Sequence, residues 1–203
     1  MSSKTRAKLT ANQLEVVVLC GGEGRRMGGQ DKPLLAFGDA RLIDYVFAAL
    51  PDARSVVLCA NRNLAAYRSL QCAIVEDLEP GLGPLGGLAS CQAQLTADYV
   101  YVVPGDAPLL PSNLSVDLFD VLREQNQQSA VCSVGDRLHY LPTLIKRSAL
   151  PELHGYLASG GRSVKGWLDR IGCAHRRRPA SETGFVNINT PEELATAEAL
   201  LDK

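Results

Sequence analysis

Two stretches of this chain hold residues suited to phosphate chemistry. The first, Gly21-Gly22-Glu23-Gly24-Arg25-Arg26-Met27-Gly28, leads into Asp31-Lys32-Pro33 directly after the apolar run 16–20. Glycines without side chains let successive backbone N–H groups approach phosphate oxygens, and Arg25, Arg26 and Lys32 add the charge that a glycine nest lacks. A triphosphate is the ligand this loop predicts, with Gly21 and Gly22 at its start. The spacing G-x-G-x-x-x-G departs from the dinucleotide fingerprint, and no acidic residue ends a second strand about twenty positions later in the way a ribose clamp requires. Lys32 is followed by Pro33 rather than Ser or Thr, so the loop is no P-loop either. In the second stretch, Val102-Val103-Pro104-Gly105-Asp106-Ala107-Pro108, a carboxylate sits just beyond a strongly apolar run. Asp106 is placed to hold a divalent cation, Mg²⁺, against phosphate oxygens, since that ion usually needs only one or two protein carboxylates.

The elements that would position these residues follow from hydrophobic periodicity. Apolar, β-rich runs are expected as strands over 14–20, 55–60, 72–76, 99–103, 130–134 and 143–146. Between the early runs, Leu42, Val46, Ala49 and Leu50 fall on one helical face. This alternation predicts an α/β fold with a mainly parallel central sheet covered by helices on both sides. Ligands of such sheets collect at the carboxyl ends of the strands, so the loops starting at Gly21, Asn61, Asp77 and Gly105 should converge on one site. Thr190-Pro191-Glu192-Glu193 reads as a capping box opening a last helix, with Leu194, Ala197 and Leu201 as its buried stripe. Residues 1–12 carry no apolar period and are expected to be a disordered extension, with 13–203 a single domain.

A formal net charge of -1 provides no global field for nucleic acid or an anionic membrane, so neither is expected as a partner. The six cysteines form no C-x-x-C pair, and four of them (Cys20, Cys59, Cys72 and Cys132) lie in or beside expected strands, which predicts core thiols. The polar start and the lack of a long apolar run lead to the expectation of a cytoplasmic protein. His139, His154 and His175 have no ligand-like spacing and read as structural or surface groups.

Five ordered blocks, "LCGGEGRRMGGQDKPLL", "LCANRN", "VEDLEPGLGPLGGL", "VVPGDAPLLP" and "GFVNINTPEEL", resemble the molybdenum cofactor guanylyltransferases, the MobA proteins of the nucleotidyltransferase superfamily. The first block alone marks the superfamily; Asp31-Lys32, Ala60-Asn61-Arg62 and the closing Phe185 to Pro191 point to the guanylyltransferase. The resemblance implies a Rossmann-like, GT-A-type three-layer α/β/α fold and transfer of GMP from MgGTP to the phosphate of Mo-molybdopterin. It carries the GTP contacts onto Leu19, Cys20, Gly21, Lys32, Asn61, Asp77 and Asp106, with Asp106 also the metal ligand. Lys32, Arg25 and Asp106 are the expected catalytic groups. Cys20 stands where the family commonly has alanine, and Gly105 where it commonly has cysteine.

An amide and a carboxylate suit guanosine, whose base presents donors at N1 and N2 and an acceptor at O6 and whose ribose presents hydroxyls; which of Asn61 and Asp77 takes which group stays open at this level. Asn187 and Asn189, expected to alternate on a short strand, are candidates for the second substrate or the metal. Arg162 and Lys165 are candidates for the pterin phosphate, with Trp167 as a stacking surface or a packed core residue. Proteins that deliver the cofactor or receive it are the implied macromolecular partners. A related transferase using CTP or a sugar or polyol phosphate, and a nucleotide-binding switch, remain the alternatives.

Overall fold

The computed structural model describes residues 8–21 and 30–201. In chain order the elements are β1 (Leu14–Leu19), a two-strand ribbon β2 (Ala36–Phe37) and β3 (Ala40–Arg41), α1 (Leu42–Ala48), β4 (Ser55–Cys59), α2 (Leu64–Tyr67), β5 (Ala73–Val75), α3 (Pro84–Cys91) and β6 (Tyr99–Pro104). There follow α4 (Leu114–Glu124), β7 (Ser129–Val134), β8 (Arg137–Lys146), α5 (Pro151–Ala158), α6 (Val164–Ile171), β9 (Cys173–Arg178) and α7 (Pro191–Glu198). Seven strands form one sheet in the order β5-β4-β1-β6-β8-β7-β9. Of the neighbouring pairs, only β6–β8 and β7–β8 are antiparallel, so β8 alone runs against the others.

The three layers can be read from alternating side chains. Val16 and Val18 of β1 join one core cluster while Val17 joins another, and Tyr101 and Val103 of β6 are separated from Val100 and Val102 in the same way. The first cluster includes Ile43 and Val46 of α1 and Leu114, Leu118 and Leu122 of α4. The second includes Leu85 and Leu88 of α3, Leu153 of α5, and Trp167 and Leu168 of α6. Val16, Val17 and Val18 are all 0% exposed, each worth about 2 kcal/mol of burial. A third, smaller cluster of Phe37, Leu42, Ile188 and Ala197 fastens the ribbon and α7 onto the body.

Sheet order fixes where a ligand can lie. From β1 the chain crosses outward to β4 and β5, then returns through α3 to β6 on the other side of β1. The strand order therefore reverses between β1 and β6, and the crevice at their carboxyl ends is the switch point at which such sheets hold ligands.

Several expectations differ from the structure. Within the stretch expected as an extension, Thr10 opens a 3-10 turn over Ala11–Gln13 and Leu9 packs against the core. Strand β8 starts at Arg137, six residues before the expected 143, after a turn at Gly135 with φ 58°. Pro142 lies within it and lacks the N–H that a ladder position needs, which hid the strand; its pairing with β7 shifts register between Ala130 and Cys132. Strand β9, with its three consecutive arginines, is not among the expected apolar runs; charged side chains are common on a sheet's edge strand. Residues 184–189 form no strand.

Candidate active site

The strand ends form a platform. Cys20 N donates to Cys59 O at 2.8 Å, Ala60 N to Val75 O at 3.0 Å and Gly105 N to Leu19 O at 2.9 Å, so the ladder continues past the strands into the loops. Leu19, Cys20, Gly21, Asn61, Asp77 and Asp106 are thereby carried to the same end of the sheet. Gly105 must be small here: a Cβ on it would stand 2.6 Å from Cys20 Sγ and 3.3 Å from Leu19 O. The thiol of Cys20 therefore fills the room that Gly105 leaves.

Lys32 opens a 3-10 turn, Lys32–Leu34, which follows the glycine-rich stretch in sequence. Its Nζ donates to Asn189 Oδ1 at 2.7 Å and lies 3.4 Å from Asp106 Oδ2, with side chains about one-fifth exposed on both sides of that ion pair. Burial raises the Asp106 pKa above the usual carboxylate value, and the adjacent Lys32 ammonium only partly offsets it. The cluster holds Asn189 from the far end of the chain by two devices. Ile188, fully buried, donates its N–H to Asp106 O at 3.0 Å. Glu193 of the α7 capping box accepts from Asn189 N at 2.6 Å and Thr190 N at 3.1 Å, while Thr190 Oγ1 accepts from Glu193 N at 3.2 Å.

Asn61 and Asp77 form a reciprocal pair. Asn61 Nδ2 donates to Asp77 Oδ2 at 2.7 Å, and Asp77 N donates to Asn61 Oδ1 at 2.7 Å. Cys59 Sγ lies 3.1 Å from Asp77 Oδ1 as a thiol donor. A Cβ on Gly87 would lie 3.3 Å from that same oxygen, so the glycines opening α3 bring the helix close to the carboxylate. The ends of the sheet's strands thus carry both a carboxylate oriented to accept from an N–H donor and, at Lys32, a cation able to pair with an anion.

Residues 16–175 match the MobA-like NTP transferase domain. The chain belongs to the MobA-like NTP transferase family. A molybdenum cofactor guanylyltransferase of Shewanella sediminis is 34% identical over 183 residues, which span 89% of this chain and 93% of that relative. Among solved structures, molybdopterin-guanine dinucleotide biosynthesis protein A of Archaeoglobus fulgidus superposes with a TM-score of 0.72 at 22% identity, covering 93% of this chain and 98% of its own. The 4-diphosphocytidyl-2C-methyl-D-erythritol synthase of Anaerococcus prevotii reaches 0.73 at 12% identity, with 95% and 97% covered. Those two likenesses concern the fold, which is Rossmann-like and shared across nucleotidyltransferases. This MobA-family chain is therefore a nucleotidyltransferase, an activity that in the family generally uses a divalent metal.

Within this MobA-family site, the structure brings Lys32, Asp106 and Asn189 into contact and joins Asn61 to Asp77. Gly22, Arg25 and Arg26 lie outside the described residues. A cavity of about 370 Å³ adjoins Asn189 and is lined by His139, Tyr140, Phe185, Asn187 and Glu193 among others. The His139 and Phe185 rings are 5.2 Å apart, and the Arg178 guanidinium lies 5.8 Å from the Phe185 ring centre. Burial, reinforced by Arg137, lowers the His139 pKa and favours the neutral imidazole.

His139 and Tyr140 on β8 and Phe185 on the segment before α7 are far apart in the chain and meet only at this cavity. Arg162 and Lys165 are not among the residues lining this cavity, although Val164 between them is. Arg162 Nη1 donates to the Leu157 and Gly161 carbonyls, and Lys165 pairs with Asp169 at 2.6 Å. Trp167 is 0% exposed in the core, so stacking on a substrate ring is ruled out for it. Its place beside Leu168 and Ile171, on the stripe that Val164 begins, is an i, i+3, i+4, i+7 pattern that the sequence already contained.

Proposed function

We propose that this chain transfers GMP from GTP, with Mg²⁺, to the terminal phosphate of Mo-molybdopterin, forming the guanine dinucleotide cofactor and pyrophosphate. The observation that carries the reading is the Lys32 ammonium, held between Asp106 and Asn189 at the switch point in a chain 34% identical to a guanylyltransferase. An acceptor phosphate oxygen attacks the α-phosphorus of the nucleotide. A new P–O bond forms as the bond to the bridging oxygen breaks, and pyrophosphate leaves with the electron pair. A phosphate monoester with a second pKa of about 6 is already largely ionised at neutral pH, so no general base is required. The obstacle is the approach of two anions, and Lys32, with Arg25 as a second cation, offsets it.

The residues present fit a divalent cation. Asp106 is a partly desolvated carboxylate facing only partial compensation from Lys32. Among the described residues no group of three or more His, Cys, Asp or Glu gathers to hold a metal, so phosphates and water would complete the shell around Asp106. Such an ion, when bound, supplies further neutralisation of the phosphates.

The Asp77 carboxylate, turned by Asn61 and Cys59, is suited to accept from the N1 and N2 donors of guanine, with Leu19, Cys20 and Gly21 bordering the nucleotide. The cavity beside Asn189 is suited to the flat pterin of the acceptor, with Asn187 and Asn189 at the reacting end. Free thiols at all six cysteines accord with a reducing cytoplasm. Among the described residues no helix is long and apolar enough to cross a membrane. Molybdoenzymes or carrier proteins that receive so labile a product are the protein partners of this reading.

The cytidylyl-type fold likeness makes CTP the competitor to test. Calorimetric titration of the protein with GTP and with CTP, each with Mg²⁺, is expected to give tighter binding of GTP by at least tenfold. A preference for CTP would overturn the assignment of Asp77.

A further inference from the structure

Asp31, the residue before Lys32, has a side chain only 5% exposed. Its Oδ2 accepts from Asn63 Nδ2 at 3.1 Å, and its Oδ1 lies 4.0 Å from Arg62 Nε. Arg62 also donates from Nη2 to Gln30 O at 3.0 Å, so it grips the same loop through the backbone. Asn63 adopts left-handed backbone angles, φ 52° and ψ 30°, at the start of α2, a conformation that asparagine tolerates better than most residues. The fully buried Tyr67 lies beside the same carboxylate; burial, then Cys20 and Asp31, raises the pKa of its phenol. On the other side, the Asp31 carbonyl accepts from Leu34 N at 2.9 Å and opens the turn that carries Lys32.

The loop that grips Asp31 has a second attachment. Its three consecutive residues divide between two neighbours: Asn61 pairs with Asp77, while Arg62 and Asn63 hold the 30–31 backbone and carboxylate. One loop after β4 therefore ties the nucleoside end of the site to the lysine end.

We infer that Asp31 is a positioning residue for Lys32, a carboxylate clasped by Arg62 and Asn63 that fixes the root of the lysine so that Nζ reaches Asn189 and Asp106. This rests on the role proposed for Lys32 above. Displacing a reacting partner by about 1 Å can cost on the order of a hundredfold in rate, so loosening one anchor is large enough to measure. Asp31, its side chain 5% exposed, acts through the chain that carries Lys32. Its effect travels through Lys32 and vanishes when the ammonium is gone.

A double-mutant cycle on turnover separates this from a merely structural role. Asp31→Ala in the intact protein is expected to lower kcat at least tenfold, and Asp31→Asn by a smaller factor, since the amide keeps an acceptor for Asn63 but loses the charge facing Arg62. In a Lys32→Ala background the same Asp31 substitutions are expected to change kcat less than twofold. An equal factor in both backgrounds, or wild-type kcat for Asp31→Ala, overturns the inference. Should Asp31→Ala fail to fold, Asp31→Asn with an unchanged melting midpoint runs the same cycle. If Lys32→Ala alone leaves turnover intact, the reading of Lys32 falls first, and the cycle identifies that failure separately.

Discussion

Glu15 and Asp106 are acids at opposite ends of the same two strands, and their surroundings differ in kind. Glu15, on β1 and 2% exposed, accepts from Thr96 N at 2.7 Å, Ala97 N at 2.9 Å, Thr96 Oγ1 at 3.2 Å and Ser55 Oγ at 3.3 Å. Asp106, just beyond β6, has a raised pKa and one ammonium at 3.4 Å. The first carboxylate is saturated by the fold and serves to join β1 to the turn before β6. The second is left electrostatically incomplete, as a group must be if it is to take a cation from outside. Buried polar groups that the fold satisfies stabilise it, and those it leaves wanting mark where a ligand completes it.

Exchanging the two roles by mutation would break that contrast. Asp106→Asn is expected to reduce turnover about a hundredfold, on the order of 3 kcal/mol in the transition state, with a melting temperature no lower than wild type. Glu15→Ala leaves two backbone N–H groups of the 96–97 turn without their acceptor. It is expected to lower stability by about 2 kcal/mol, a shift of roughly 6 °C for a chain of this size, with turnover per folded molecule unchanged. Paired melting curves and steady-state rates check both. A destabilised Asp106→Asn, or a slow but stable Glu15→Ala, would reverse the comparison.

The pH dependence sharpens it. Asp106 has a folded pKa above its unfolded value, so in the window between them the native state binds more protons, and stability falls as pH rises through that window. In metal-free protein, the melting temperature of Asp106→Asn relative to wild type is therefore expected to increase as pH rises through and above the ordinary carboxylate value of about 4. A difference that stays constant with pH would contradict the desolvated state of this carboxylate.

The smallest effect concerns the packing behind the site. Gly105→Ala forces a contact with Cys20 Sγ and is expected to destabilise by about 1 kcal/mol. Adding Cys20→Ala should recover most of that loss, as measured by denaturant titration; equal loss in the single and double variants would separate the two positions.

Much of the platform at the strand ends is legible in local signals. The alternation along β1 and β6, the loops after each parallel strand and the Thr190 capping box all depend on near neighbours, and they brought Lys32, Asn61, Asp77 and Asp106 to one end of the sheet. The cavity beside Asn189 depends on β8 running against the sheet with Pro142 within it, and on residues 184–189 lying unpaired by any strand. No periodicity announces that His139 and Phe185 will meet. Asn187 and Asn189 are expected to share one face of a short strand, yet what fixes Asn189 is the Ile188 bond to Asp106 and the Glu193 cap rather than a strand.

The account turns on whether the ammonium of Lys32 neutralises the transfer at the junction of β1 and β6. A single-turnover assay of pyrophosphate release from GTP with Mo-molybdopterin, comparing wild type with Lys32→Ala at saturating substrates, measures this directly. The predicted result is a loss of about a hundredfold in rate with the fold intact; release at the wild-type rate would contradict it.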